Sequence, residues 1–171
     1  MEFYEVIKKR KSVRKYDTKK IPDDVLDRIL EAGRIAPSAK NIQPWKFVVV
    51  RDPALKKQIA EASRGQMFIA DADVIVCGCA LEKIAWGRMG GYMSSFAVDL
   101  AIAMDHIILA AANEGLGTCW IGAFEEKAVK LLLGVPEDVK VVALTPLGYP
   151  AEVPKDRGRK PASEIISYDK Y

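Results

Sequence analysis

From residue 94 to 114 the chain reads as one long helix that is apolar on more than one face. Phe96, Val98, Leu100, Ile102, Met104, Ile107, Ile108 and Leu109 are spread too widely around a 3.6-residue period to form a single stripe. Ala97, Ala101, Ala103, Ala110, Ala111 and Ala112 add small side chains that let neighbours approach closely. Such a helix has to be surrounded, and a chain of 171 residues has few other elements to do it. Two arrangements are open: a central core helix in a monomer, or a helix partly covered by a second subunit, and the second is expected. A membrane span is not expected, because Asp99, Asp105 and His106 interrupt the segment and each charge at a bilayer centre costs at least roughly 3 kcal/mol.

The other elements follow from pattern. Ile21-Pro22-Asp23-Asp24 opens a helix, with proline and acids in the first turn and Val25, Leu26, Ile29 and Leu30 at helical spacing. Residues 47–50 and 74–79 are β-branched, continuously apolar runs of strand length, and the second suggests burial on both faces. Residues 55–62 and 125–133 read as helices, the latter closed by Gly134, and residues 118–121 and 139–147 as two further strands. Helices and strands alternate with no repeat and no linker. One domain over residues 1–171 is therefore expected, α/β or α+β in class, with helices covering a sheet.

Charge is distributed unevenly. The net charge of +3 combines 26 basic with 23 acidic residues. Residues 8–20 hold eight of the basic residues and one acid, and residues 155–160 hold four and one. What remains has 14 basic and 21 acidic residues, a net of −7. The chain is an acidic body with two basic patches. Cys77, Cys79 and Cys119 form no C-x-x-C pair, so neither a disulfide framework nor a four-thiolate metal site is expected. The start, Met1-Glu2-Phe3-Tyr4-Glu5, is acidic and lacks the apolar run of an export signal, so a reduced, cytoplasmic setting is expected.

Four segments carry groups suited to ligand chemistry. Arg10-Lys11-Ser12-Val13-Arg14 offers bidentate guanidinium donors and a hydroxyl that suit a phosphate, although such a run by itself is more often a solvated face. Ala36-Pro37-Ser38-Ala39-Lys40-Asn41-Ile42-Gln43-Pro44-Trp45 is a proline-stiffened loop whose Ser38, Asn41 and Gln43 both donate and accept, as a flat heterocycle edged with donors and acceptors would require. In Gly115-Leu116-Gly117-Thr118-Cys119-Trp120-Ile121-Gly122, Gly122 would let a ring approach its backbone N–H. The Gly-x-Gly there follows a helix and precedes a strand, the reverse of a dinucleotide fingerprint. The fourth is Gly148-Tyr149-Pro150, continued by the basic residues Lys155, Arg157, Arg159 and Lys160. His106, a lone helical histidine without partners, reads as structural.

Taken in order, these four segments resemble the signatures of the nitroreductase family, FMN-dependent NAD(P)H oxidoreductases. The resemblance spans nearly the whole chain. It implies an α+β, three-layer fold with a central mixed or antiparallel sheet flanked by helices. It also implies a homodimer with two FMN sites at the subunit interface, the tail from residue 163 onward embracing the partner. In family terms Arg10, Ser12, Arg14 and Arg159 would hold the FMN phosphate, with Lys11 in the same segment and Arg157 beside it. Pro37, Ser38, Ala39 and Asn41 would reach the flavin ring from the other subunit, and Gln43 would either touch the ring or support the loop. Trp120, Ile121 and Gly122 would lie along the ring near N5, and Gln66 near its pyrimidine side.

The implied chemistry is hydride transfer from NADH or NADPH to flavin N5, release of the nicotinamide, and reduction of a nitroaromatic, quinone or similar acceptor. No catalytic side chain is implied. Residues 85–92 are short beside the lid of larger members, which suggests an open pocket with Trp86, Arg88, Met89 and Phe124 as walls. Reductive dehalogenation and flavin fragmentation are the alternatives inside the superfamily. From a different class, an anion- or nucleic-acid-binding module is disfavoured by the −7 body and by the lack of aromatics interleaved with the basic run before Tyr16. Neither a nucleic acid nor a membrane is expected as a partner.

Overall fold

A computed structural model of the protein describes residues 2–171. In chain order the elements are α1 (Phe3–Lys9), α2 (Asp23–Arg34), β1 (Trp45–Val50), α3 (Pro53–Ala62), α4 (Phe68–Asp71), β2 (Val74–Ala80), α5 (Phe96–Asn113), β3 (Gly117–Thr118), α6 (Glu126–Leu133) and β4 (Lys140–Gly148). The four strands form one antiparallel sheet in the order β1-β2-β4-β3. As its unbroken apolar run requires, β2 is buried over its whole length.

Alternation along β2 divides the core in two. Val74 and Val76 pack with Leu26 and Ile29 of α2 and with Leu100, Met104, Ile107 and Ala111 of α5. Ile75, Cys77 and Cys79 face the other way, toward Ile59 of α3, Ile69 of α4 and Val129 of α6. The fold is therefore α+β in three layers, with α2 and α5 on one side of the sheet and α3, α4 and α6 on the other. Close helix packing on the first side depends on Gly33, where a Cβ would lie 2.6 Å from Cγ1 of Ile107.

Most boundaries fall within two residues of their expected places. Asp52 caps α3 by accepting from the Leu55 N–H, so that helix starts at Pro53 rather than 55. The expected strand over 118–121 is interrupted. Thr118 pairs with Leu147 and Ile121 with Leu144, which is one continuous register. Between them Cys119 stands opposite Pro146, which has no N–H to complete the ladder. Residues 119–122 are thereby left as irregular backbone beside the sheet.

Helix α5 is only half covered. Its sheet-facing residues are fully buried, yet Val98 and Ile102 remain 38% and 37% exposed. On α1, which packs against α5, Phe3 and Ile7 are exposed as well. His106 is half-buried, with Nδ1 3.3 Å from the Ala32 carbonyl, a structural contact between α5 and α2. Beyond Pro150 the chain is irregular apart from one short 3-10 turn at Ala162–Glu164, and Ile165, Ile166 and Tyr168 are exposed along it.

Candidate functional site

The first basic segment leaves α1 at Arg10 and enters the sheet by hydrogen bonding. Ser12 bridges Thr118 of β3 in parallel, the Val13 N–H donating to the Thr118 carbonyl at 2.8 Å. Tyr16 then bridges Pro150, with Asp17 N–H donating to Tyr149 O at 2.8 Å and Ala151 N–H to Lys15 O at 2.9 Å. These contacts lay residues 12–13 along β3 and residues 15–17 along the chain that follows β4. Lys11 forms an ion pair with Asp156, 145 positions away in sequence.

The two basic patches consequently line one cavity of about 120 Å3, formed by Arg10, Lys11, Ser12, Arg14, Lys155, Arg157 and Arg159 together with Pro154 and Asp156. Six cations and a hydroxyl face one carboxylate. That donor set fits a phosphomonoester dianion, for which planar guanidinium groups offer paired donors.

Two buried groups stand close to residues that line this cavity. The Tyr16 hydroxyl donates to the Val13 carbonyl at 2.9 Å, and burial raises its pKa, so the phenol stays neutral. Burial likewise pushes the Cys119 thiol up, while nearby Arg14 acts in the opposite direction. As a thiolate, Cys119 would repel an anion above Ser12; as a thiol it does not.

Gly117 sets how closely the segment docks, since a Cβ there would lie 2.5 Å from Cγ2 of Val13. Substituting Gly117→Ala is expected to lower the free energy of unfolding by about 1–3 kcal/mol through overpacking, read from urea denaturation. Anion affinity is expected to fall with it, because Val13 can yield only by moving Ser12 and Arg14.

The loop before β1 has a different character. Ala39–Asn41 forms a short 3-10 turn in which Lys40 and Asn41, and then Gln43, adopt left-handed φ values of 53°, 56° and 54°. Three non-glycine residues in that region within four positions cost about 1 kcal/mol or more each, and they persist because side chains hold them. Ser38 Oγ accepts from the Gln43 N–H at 2.8 Å, and Gln43 Nε2 donates to the Asn41 carbonyl at 3.0 Å and to its Oδ1 at 3.2 Å. Gln43 therefore supports the loop, and its contact with Oδ1 leaves the Asn41 Nδ2 amine to donate to a ligand. The sequence reading had no place for Asp99 here, yet its carboxylate accepts from the Ala39 N–H at 2.9 Å.

Gln66 belongs with the turn after β3: its Nε2 donates to the Ala123 carbonyl at 3.1 Å and to Ser63 O at 2.9 Å. It thus lies beside Gly122, while Trp120 is 43% exposed and Ile121 is fixed to Leu144 by bonds in both directions. A Cβ at Gly122 would meet only Trp120 Nε1, at 3.8 Å, so its backbone is open to close approach. Of the proposed wall residues, Phe124 packs against the core on the α6 side of the sheet. Residues 88–93 form tight turns closed by a Met89–Met93 bridge.

Not all the expected site residues meet within one chain. Arg10, Lys11, Ser12, Arg14, Arg157 and Arg159 share the anion cavity, and Gln66 joins the 120–122 turn. Pro37, Ser38, Ala39, Asn41 and Gln43 are not among that cavity's lining residues.

Comparison with known proteins gives this arrangement a lineage. Residues 7–76 and 68–149 match the model of the nitroreductase family. A putative NADH dehydrogenase/NAD(P)H nitroreductase from Methanothermobacter thermautotrophicus is 36% identical, the match covering 92% of this chain and 82% of that protein. Among solved structures, a nitroreductase family protein from Clostridium novyi NT is 42% identical with a TM-score of 0.82, covering 88% of this chain and 87% of the other. The NADPH:FMN oxidoreductase from Vibrio harveyi, solved with NAD+, is 26% identical with a TM-score of 0.87, covering 99% of this chain and 77% of the other. A family match across most of the chain, a relative above one-third identity over nearly all of it, and the three-layer fold agree: this chain belongs to the nitroreductase family of oxidoreductases.

Proposed function

We propose that the protein is an FMN-dependent oxidoreductase that takes reducing equivalents from NADH or NADPH and delivers them to nitroaromatic, quinone or similar small acceptors. It works as a homodimer with an FMN site at each side of the interface. The observation that carries this reading is the meeting of two basic patches, remote in sequence, at a single phosphate-sized cavity.

When bound, FMN supplies the redox chemistry, accepting hydride from a nicotinamide and passing electrons on to the acceptor. The chain's own residues bind and orient it. Arg10, Ser12, Arg14 and Arg159 hold the phosphate, with Lys11 and Arg157 lining the same cavity. Trp120, Ile121 and Gly122 give an open backbone on which a planar ring can lie, and Gln66 fixes that turn through the Ala123 carbonyl. Pro37, Ser38, Ala39 and Asn41 complete the ring contacts from the partner subunit, which accounts for their separation from the phosphate cavity within one chain. No side chain need act as a nucleophile.

An absorbance spectrum of the purified protein tests this directly. A flavin spectrum is expected, bleached anaerobically by NADH or NADPH in separate titrations and restored by nitrofurazone. A colourless protein that takes up no added FMN would exclude the reading. Flavin that is reduced but reoxidised by no nitro or quinone acceptor would turn it toward reductive dehalogenation or other flavin chemistry.

A further inference from the structure

Asp99 sits in the first turn of α5, 3% exposed, and every other residue that α5 buries is apolar. Its two carboxylate oxygens have different partners. Oδ1 accepts from the Ala39 N–H at 2.9 Å, and Oδ2 accepts from the Ser95 hydroxyl at 2.7 Å. Ser95, fully buried, donates its own N–H to the Trp86 carbonyl at 2.8 Å. Lys40, next to Ala39, places its ammonium 5.7 Å from the Trp86 ring centroid. The contacts close on themselves: Trp86 to Ser95, Ser95 to Asp99, Asp99 to Ala39, and Lys40 back to Trp86.

We propose that Asp99 is the positioning residue of the flavin site, holding the strained 38–43 loop in its ligand-ready shape and, through Ser95, tying it to the Trp86 segment. The proposal rests on reading that loop as the ring-binding element. A buried carboxylate is costly unless its oxygens are satisfied, and here both partners belong to segments that flank the proposed ring site. The early position on α5 helps, because the helix dipole favours negative charge there. Without Asp99, the Ala39 N–H would lose its acceptor and the left-handed residues Lys40, Asn41 and Gln43 would be free to relax. Asp99 touches no reacting atom. It acts through Ala39.

Three titrations on the parent protein, Asp99→Asn and Asp99→Ala test this: FMN and riboflavin by quenching of flavin fluorescence, and inorganic phosphate by calorimetry. Exchange of the Ala39 amide in the ligand-free proteins is followed in parallel by NMR. Asp99→Ala is expected to weaken FMN and riboflavin by about tenfold each, to leave phosphate within about twofold, and to accelerate Ala39 exchange by about tenfold. Asp99→Asn keeps an oxygen for Ala39 and is expected within about threefold of the parent. Unchanged flavin affinity in Asp99→Ala, or an equal loss for phosphate, overturns the proposal while leaving the flavin reading intact. If the parent binds neither flavin, the functional reading falls on its own. Ala39 exchange then decides whether Asp99 holds the loop: faster exchange upholds it and unchanged exchange ends it.

Discussion

Replacing Arg10 and Arg159 together by alanine is expected to weaken FMN by about a hundredfold or more and to leave riboflavin within about threefold. Riboflavin carries the same ring without the phosphate, so the pair of ligands separates the anion cavity from the ring contacts. Each charge-assisted hydrogen bond to a phosphate contributes about 1.5–3 kcal/mol, and these residues supply one from each basic patch. Arg10 is half-buried at the end of α1 and Arg159 is exposed, which places the combined effect toward the lower end of that range. Arg14 is left in place because its guanidinium lies 6.0 Å from the Phe68 ring centroid, so its removal would also disturb packing. Raising ionic strength should weaken FMN more in the parent than in the variant, since the variant has less charge to screen. Equal losses for FMN and riboflavin would mean that the two arginines act on the fold rather than on the phosphate.

The cavity also shows what a sequence can and cannot announce. Arg10, Ser12, Arg14 and Arg159 stood out by residue type as groups suited to an anion, because both basic patches contrast with the acidic body of the chain. Their convergence was not legible from charge alone. It depends on the backbone bonds of Val13, Asp17 and Ala151, which lay residues 12–17 beside β3 and the chain that follows β4, and backbone bonds carry no residue signature. The layered fold was readable because burial on both faces of β2 and amphipathicity in α2 each leave a period in the sequence. The strand over 118–121 failed at Cys119 for the opposite reason: the interruption comes from Pro146, on a partner strand that no local window contains. Asp99 was visible only as a charge that excluded a membrane helix. Its one available signal was its being acidic within an apolar helix, and the partner that gives it a role, Ala39, lies 60 positions away and contributes only an amide.

The outer face of α5 provides the second large effect. Substituting Ile102→Glu is expected to convert a dimer to a monomer in sedimentation velocity and to lower FMN affinity at least tenfold. Ile102 and Val98 are one helical turn apart and exposed, and Asp105 and Leu109 continue the same stripe of α5 to a groove that Phe3 and Ile7 of α1 also line. That groove, of about 700 Å3, reaches Arg10, Asp156 and Arg159. An apolar face running into the anion cavity is what a site shared between two subunits requires. Losing one buried Ile side chain costs about 2 kcal/mol. Burying a carboxylate in its place costs several more, and Asp105 on the same helix adds like charge. A total of at least about 4 kcal/mol raises the dimer dissociation constant about a thousandfold or more. The inner face of α5 is untouched, so the melting temperature of the separated chain should reflect the lost partner and not a damaged core. Ile102→Leu, which keeps the apolar volume, is expected to remain dimeric and flavin-bound. A dimer that survives Ile102→Glu with FMN bound would place the interface elsewhere. A monomer that still binds FMN as tightly as the parent would show that Pro37, Ser38, Ala39 and Asn41 do not reach the ring from a second chain.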